Sequence, residues 1–420
     1  MGREDIATVS GWARDGVGYN GGGEPMTRRL IALDIAPGDA FVHALQRIWD
    51  DGDAVLPVDQ RLPVEAKLGL FNSLAPCAIV TEAGESPVDL SKGFGAHGQV
   101  PVCDGDALVV PTSGTTGIPK GVVLTHKAVK ASALATSARI GIDPNQHHWL
   151  SCLPLAHIGG LSVVTRALHT GTPITVLPSF DAALVNEAPS RGATHTSLVV
   201  SALNRVDASL WKCIVVGGSA MPPNLPSNTL RTYGMTETGS GVVYDGLPLD
   251  GVEVRVVAGR LELRGPMLFR TYRQRDAQGA LTPEGTYPFD SDGWFATGDA
   301  GEISVEGVVS VLGRVGDVIV TGGEKVWPDS VERVLNTAPG VKEVAVAGQP
   351  DQRWGSRVVA WVVPLDPANP PTLDVLRAHT KQSLPAYAAP HELKLCTTLP
   401  RTPTGKVQRS QLNDPPVPSC

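Results

Sequence analysis

The 420 residues contain no CxxC pair, no basic block, no run of 18 apolar residues and few aromatics, 5% in all. Each absence excludes something. The six cysteines, Cys77, Cys103, Cys152, Cys213, Cys396 and Cys420, are scattered, which is neither a zinc framework nor a disulfide scaffold. Cys152 and Cys213 sit in apolar runs and are expected to be buried small hydrophobes. A net charge of −7 without a basic patch argues against nucleic acid as a main partner. It leaves nucleotides open, because a local site can be basic on an acidic protein. Without a long apolar run no membrane span is expected. The start, MGREDIATVSGWARDG, is charged and lacks an apolar signal core. Gly2 is followed by Arg3, Glu4, Asp5 and Ile6, without the Ser or Thr of a myristoylation signal. A cytoplasmic protein is expected. There is no internal repeat and no low-complexity block.

What is present is a globular composition, 42% hydrophobic and 18% charged, long enough for two or three domains. Short apolar runs alternate with helical spacing through the first two thirds. Helices are expected at Asp39–Trp49, Thr125–Ile140, Ser162–His169, Ala182–Ala188 and Thr196–Val206. Strands are expected at Ala54–Val58, Ala107–Val110, Trp149–Leu153, Thr172–Leu177 and Cys213–Val216. This alternation implies a largely parallel α/β core, with ligands beyond the carboxyl ends of the strands. From Val252 to Val311 the pattern turns to short strands, a small β-rich subdomain. The last hundred residues read as a separate α+β unit, with a helix near Asp329–Leu335 and strands at Val341–Gly348 and Val358–Val363.

The stretch with most chemistry is Pro111–His126, PTSGTTGIPKGVVLTH. Thr112, Ser113, Gly114, Thr115, Thr116 and Gly117 are small, hydroxylated and flexible, so backbone N–H groups can converge on an anion. Lys120 adds a positive charge. This is the composition of a polyphosphate cradle, entered from a strand and left by a strand or a helix. It is not a Walker A loop, because Gly121, not Ser or Thr, follows the lysine. The helix from Thr125 is expected to bring its N-terminal N–H groups near the same phosphates.

Other constellations follow. Glu237, in Tyr233-Gly234-Met235-Thr236-Glu237-Thr238, is a carboxylate beside two hydroxyls, suited to a magnesium ion shared with phosphates. Asp299, in Ala296-Thr297-Gly298-Asp299, can accept two hydrogen bonds from vicinal hydroxyls such as those of a ribose. Lys406 stands in a Pro- and Gly-bounded loop, Leu399 to Lys406, like a charge that reaches into a site.

With these residues in order from Pro111 to Lys406, the chain resembles the adenylate-forming superfamily of acyl-CoA synthetases, luciferases and peptide-synthetase adenylation domains. The resemblance implies an N-terminal domain over 1–313 that holds ATP and the acid. It also implies a mobile C-terminal domain over 317–420, with a hinge near 314–317 at Asp317. It assigns Tyr233 to adenine, Thr236 to the α-phosphate, Glu237 to Mg2+ and Asp299 to the ribose, with Arg314 approaching the same ribose or the phosphates. Gly322, Gly323 and Glu324 would help line a pantetheine tunnel for CoA. Lys406 would be the catalytic lysine of the first half-reaction. One charge about 4 Å from the reacting group is worth up to about 4 kcal/mol at an effective dielectric near 20.

Within that superfamily Pro154–Leu168, PLAHIGGLSVVTRAL, resembles the acyl-binding region of the o-succinylbenzoate–CoA ligases of menaquinone biosynthesis. Ser162 and Arg166 fall on one helix face, and a cation there suits an acid with a second carboxylate. The plainer alternative is an exposed helix arginine. His157 is a gate or wall residue, or a packed core histidine. Gly217, Gly218 and Ser219 would floor the acyl pocket. The small, aromatic-poor composition suits a compact, flat acid better than a long acyl chain. Other readings stay open: another acyl- or aryl-CoA ligase, an enzyme feeding a carrier protein, or a nucleotide-binding regulator without turnover. The residues also leave a homodimer open.

Overall fold

Two seven-stranded sheets take up most of the apolar runs. The computed structural model describes residues 27–88, 100–113, 119–218, 221, 224–275, 281, 288–401 and 407–412. The chain forms two units, one of Met1–Gly218, Pro226–Val254 and Glu262–Ala296, the other of Ser219–Leu225, Arg255–Leu261 and Thr297–Cys420.

In the first unit, one sheet runs Thr271–Arg273, Pro119–Thr125, Asp106–Ser113, Ala54–Pro57, Leu30–Leu33, Ala78–Thr81, Gly84–Pro87. Its four central strands are parallel and its edges antiparallel. The other runs Ile174–Val176, Trp149–Ser151, His195–Val199, Cys213–Gly217, Thr229–Met235, Ser240–Tyr244, Leu247–Pro248. Its first five strands are parallel. Leu30–Leu33 and Ala54–Pro57 are buried at every position, as strands covered on both faces require. Helices His126–Ile140 and Ile158–Thr170 lie between the sheets. Val129, Leu161 and Val164 join Leu33, Phe41 and Leu108 on one side. Ala135, Val163 and Ala167 join Trp149, Val215 and Tyr244 on the other.

In the second unit, strands Val341–Asp351 and Gly355–Pro364 pair antiparallel and alternate their faces. Val344, Val346, Val358, Ala360 and Val362 pack on Val331, Leu335 and Leu376 of two helices. Ala345, Val359, Trp361 and Val363 pack on Leu399 and Leu412. This is the period-two division of a strand between two layers. Outside this unit's main sheet, Glu253–Val257, Arg260–Arg264, Phe295–Ile303 and Val309–Arg314 make a separate four-stranded sheet whose residues are shared between the two units.

Two expectations fail. The run Thr196–Val206 is not a helix: His195–Val199 is a central strand and only Val200–Leu203 is helical. A short apolar run has no period that separates a buried strand from a buried helix, and the β-branched Thr196 and Val199 favour the strand. The helix after the phosphate loop does not point its N-terminus at that loop. Pro119–Thr125 folds back as a hairpin strand, with Thr125 opposite Asp106 and Lys120 opposite Thr112. At about 3.3 Å per residue, the helix starts roughly 17 Å from Lys120, where Thr125 caps it by accepting from the Ala128 N–H. Among the described residues, no helix is long and apolar enough to cross a membrane.

Candidate active site

The phosphate-loop hairpin consists of Asp106–Ser113 and Pro119–Thr125. Gly114, Thr115, Thr116 and Gly117 lie outside the described residues, as does the Ser113 side chain. Thr112 Oγ1 donates to the Lys120 carbonyl at 3.3 Å. Lys120 Nζ stands 3.9 Å from Glu237 Oε1 and 3.8 Å from the centre of the Tyr272 ring. The Tyr272 hydroxyl donates to Glu237 Oε1 at 2.8 Å. Lys120 and Glu237, 117 positions apart by number, thus meet around a tyrosine that the sequence does not single out.

Strand Thr229–Met235, carrying Tyr233, delivers Glu237 into the single turn Thr236–Thr238. Its register shifts between Tyr233 and Gly234. A Cβ on Gly234 would lie 2.1 Å from the Ser240 carbonyl, so only glycine permits this crossing. Thr238, fully buried, accepts from the Met235 N–H at 2.9 Å and holds the turn. Glu237 offers hard oxygen donors. Among the described residues no group of three or more His, Cys, Asp or Glu could hold a metal. That donor set fits magnesium, which binds through one or two carboxylates plus phosphate and water.

Of the residues expected on the acyl side, Ser162 and Arg166 lie on helix Ile158–Thr170. The helix begins four residues earlier than expected, and Gly160 lets its first turn pack against the preceding loop. A Cβ there would lie 2.4 Å from the Leu153 carbonyl. Ser162 and Arg166 are both buried, 3% exposed each, so the exposed-arginine alternative falls. Arg166 donates from Nη1 to Ser197 Oγ at 3.2 Å and from Nη2 to Ser240 Oγ. Its Nε has no partner among the described residues. Its guanidinium lies 5.6 Å from the Trp149 ring, and burial pulls its pKa below the usual value. A buried cation whose hydrogen bonds go to neutral hydroxyls is costly, and a buried cation is ordinarily matched by a carboxylate.

His157 is the residue that precedes this helix. Its Nε2 is 3.5 Å from both Asp59 Oδ2 and Arg61 Nη2. Burial would raise the Asp59 pKa, but the Arg61 guanidinium and backbone N–H outweigh it and hold the carboxyl low. Gly217 ends its strand where a Cβ would lie 2.6 Å from Thr232 Oγ1, and Gly218 turns the chain at φ +86°. Ser219 lies outside the described residues.

In the second unit Asp299 and Arg314 face each other across a hairpin. Arg314 Nε is 3.0 Å from Asp299 Oδ1. A Cβ on Gly298 would lie 2.6 Å from Arg314 Nη1, so the glycine makes room for the pair. Asp317 closes the turn Val315–Asp317 and accepts from Arg409 Nη1 at 2.9 Å. Gly322 and Gly323, at φ +59° and +88°, form the two-residue turn between Ile319–Thr321 and Glu324–Val326, a geometry that glycines favour. Lys406 lies outside the described residues. The sequence does not single out Ser197, Ser240, Asp59 or Arg61. For Arg409, three positions after Lys406, nearness to the lysine was the available signal.

The AMP-binding enzyme family model matches residues 43–273, and the AMP-binding enzyme C-terminal domain model matches residues 330–406. A probable 2-succinylbenzoate–CoA ligase of Mycobacterium tuberculosis (strain CDC 1551 / Oshkosh) is 42% identical over 333 residues, 74% of this chain and 84% of that protein. The 2-succinylbenzoate–CoA ligase of Listeria monocytogenes serotype 4b (strain F2365) is 33% identical over 338 residues, 73% of this chain and 70% of that protein. The solved structure of o-succinylbenzoate CoA synthetase (MenE) from Bacillus subtilis, in complex with the acyl-adenylate intermediate OSB-AMP, superposes with a TM-score of 0.77. It is 25% identical and covers 97% of this chain and 91% of that one. With its motifs, its α/β fold and these matches in agreement, the chain belongs to the AMP-binding enzyme family.

Proposed function

We propose that this protein is an ATP-dependent acid–CoA ligase whose acid is 2-succinylbenzoate, a step of menaquinone biosynthesis. The observation that carries the choice of acid is Arg166, a buried guanidinium whose partners among the described residues are the hydroxyls of Ser197 and Ser240. A substrate with a second carboxylate supplies the missing charge, and a monocarboxylic acid does not. The names of the two bacterial relatives point the same way.

In the first step a carboxylate oxygen of the acid attacks the α-phosphorus of ATP, and the bond to pyrophosphate breaks. Thr112, Ser113, Gly114, Thr115, Thr116, Gly117 and Lys120 hold the phosphates, Tyr233 stacks on adenine and Thr236 contacts the α-phosphate. Asp299 and Arg314 take the ribose. Glu237 would hold magnesium, which when bound would supply positive charge beside the phosphates. Lys406 neutralises charge at the phosphorus under attack. In the second step the CoA sulfur attacks the acyl carbon and AMP leaves. The 317–420 domain turns about Asp317 and presents Gly322, Gly323 and Glu324 to pantetheine. His157, Ser162, Gly217, Gly218 and Ser219 complete the acid pocket.

The test is a coupled assay with ATP, Mg2+ and CoA, comparing 2-succinylbenzoate with benzoate and fatty acids. Thioester formation with 2-succinylbenzoate at least 100-fold faster than with the others is expected. Equal use of benzoate, or transfer only to a carrier protein, overturns the assignment.

A further inference from the structure

Glu237 is gripped twice by one short stretch of chain. The Phe269 N–H donates to the Glu237 carbonyl at 2.8 Å, and the Tyr272 hydroxyl donates to its Oε1 at 2.8 Å. Tyr272 is the middle residue of the edge strand Thr271–Arg273, opposite Val122 of the phosphate-loop hairpin. Its ring is braced by Phe269, centroids 4.7 Å apart. The ring face carries the Lys120 ammonium at 3.8 Å. The ammonium stays 3.9 Å from Oε1, well beyond the 2.7–2.9 Å of a direct charge-assisted bond.

We propose that Tyr272 is a positioning residue for the magnesium–nucleotide site, its hydroxyl aiming the Glu237 carboxylate and its ring seating Lys120. The inference rests on the reading of Glu237 as the magnesium ligand. A carboxylate bound at one oxygen by a neutral donor loses its freedom to rotate and presents its other oxygen in one direction. Outer partners of this kind orient a metal ligand without competing for the metal. The aromatic face attracts the ammonium and keeps it from collapsing onto Oε1. The lysine therefore retains its charge for phosphate while the carboxylate retains an oxygen for the cation. A serine or water in place of the phenol could make the first contact but not the second.

The experiment is calorimetric titration of ATP into the full-length protein, in EDTA and across a Mg2+ series, without turnover. Tyr272→Phe keeps the ring and loses the hydroxyl. The Mg2+ concentration that half-restores tight ATP binding is expected to rise about 10-fold, the lower end of outer-partner effects, with ATP affinity in EDTA unchanged. Tyr272→Leu is expected to weaken ATP binding in EDTA as well, about 3-fold, the scale of an exposed cation–π contact. If Tyr272→Leu does not fold, Tyr272→Phe alone decides. An unchanged Mg2+ dependence in Tyr272→Phe overturns the proposal, and so does an equal loss with and without Mg2+, which marks a purely structural role. ATP binding by the wild type that ignores Mg2+ overturns both this inference and the role of Glu237. Normal Mg2+-dependent ATP binding with no ligation of 2-succinylbenzoate overturns only the choice of acid.

Discussion

Arg166 is the residue at which stability and function pull apart. It is buried, its Nε lacks a partner among the described residues, and its hydrogen-bond partners among them are the neutral hydroxyls of Ser197 and Ser240. An arginine kept for stability alone would have a carboxylate beside it, because desolvating an unpaired charge is unfavourable. Arg166→Met replaces the stem with a flexible apolar chain and removes the charge. The expected result is a melting temperature equal to or above that of the wild type. The same variant should lose about 100-fold or more in kcat/KM for 2-succinylbenzoate, since a charge-assisted hydrogen bond contributes about 1.5–3 kcal/mol and two can form. The KM for ATP should not move. A variant that melts early and loses both substrates alike would make Arg166 a fold residue.

Elements differ in how openly the sequence declares them. Helix Asp39–Asp50 was readable from its apolar spacing, and the strands around Val55, Leu108 and Val344 from short apolar runs bounded by turn residues. His195–Val199 was not: its burial comes from neighbours on both sides, which local spacing does not record. The proposed acid site inherits that error. Ser197 sits on this strand, 31 positions from Arg166, and Ser240 lies 74 away. Motif residues such as Lys120 and Glu237 were legible singly, while the tyrosine joining them was not. The same strand carries a pH signature. His195 is fully buried and packs 4.6 Å from the His147 ring. Burial first, then His147 and Lys212, push its pKa down to about 4. Unfolding restores a value near 6.5, so the unfolded chain binds the proton more readily. The stability contributed by neutral His195 is complete above pH 6.5 and is lost as pH falls toward 4. Burial, then Lys212, lowers His147 in the same direction. His195→Asn should flatten urea-unfolding free energy against pH over that window, by up to about 3 kcal/mol. An unchanged slope would place the acid sensitivity elsewhere.

On the scale of the whole molecule, the order of motifs from Pro111 to Lys406 was legible, but the ties of the described residues on either side of the last one were not. Arg409 makes hydrogen bonds with three carboxylates from distant positions. It reaches both oxygens of Glu332 at 3.2 and 2.8 Å, Asp317 at 2.9 Å, and Asp329. Glu332 is held above its usual pKa by burial, with Arg409 opposing. Burial would lower the Arg409 value, but Glu332, Asp329 and Asp317 outweigh it and hold the guanidinium firmly charged. On the other side of Lys406, Arg401 bridges Val407, and the Gln408 N–H donates to the Pro400 carbonyl at 2.8 Å. The residues flanking the lysine are therefore tied to each other and, through Arg409, to Asp317, where the hinge is proposed. Arg409→Met leaves Glu332 buried without its cation and should cost about 3–5 kcal/mol. Adding Glu332→Leu should recover much of that loss. Arg409→Lys keeps a charge but loses the planar fork that serves several carboxylates at once. It should slow acyl-AMP formation, measured by ATP–pyrophosphate exchange, at least 10-fold more than it slows transfer of supplied acyl-AMP to CoA. Equal slowing of the two half-reactions would mean that Arg409 holds the unit together without steering Lys406.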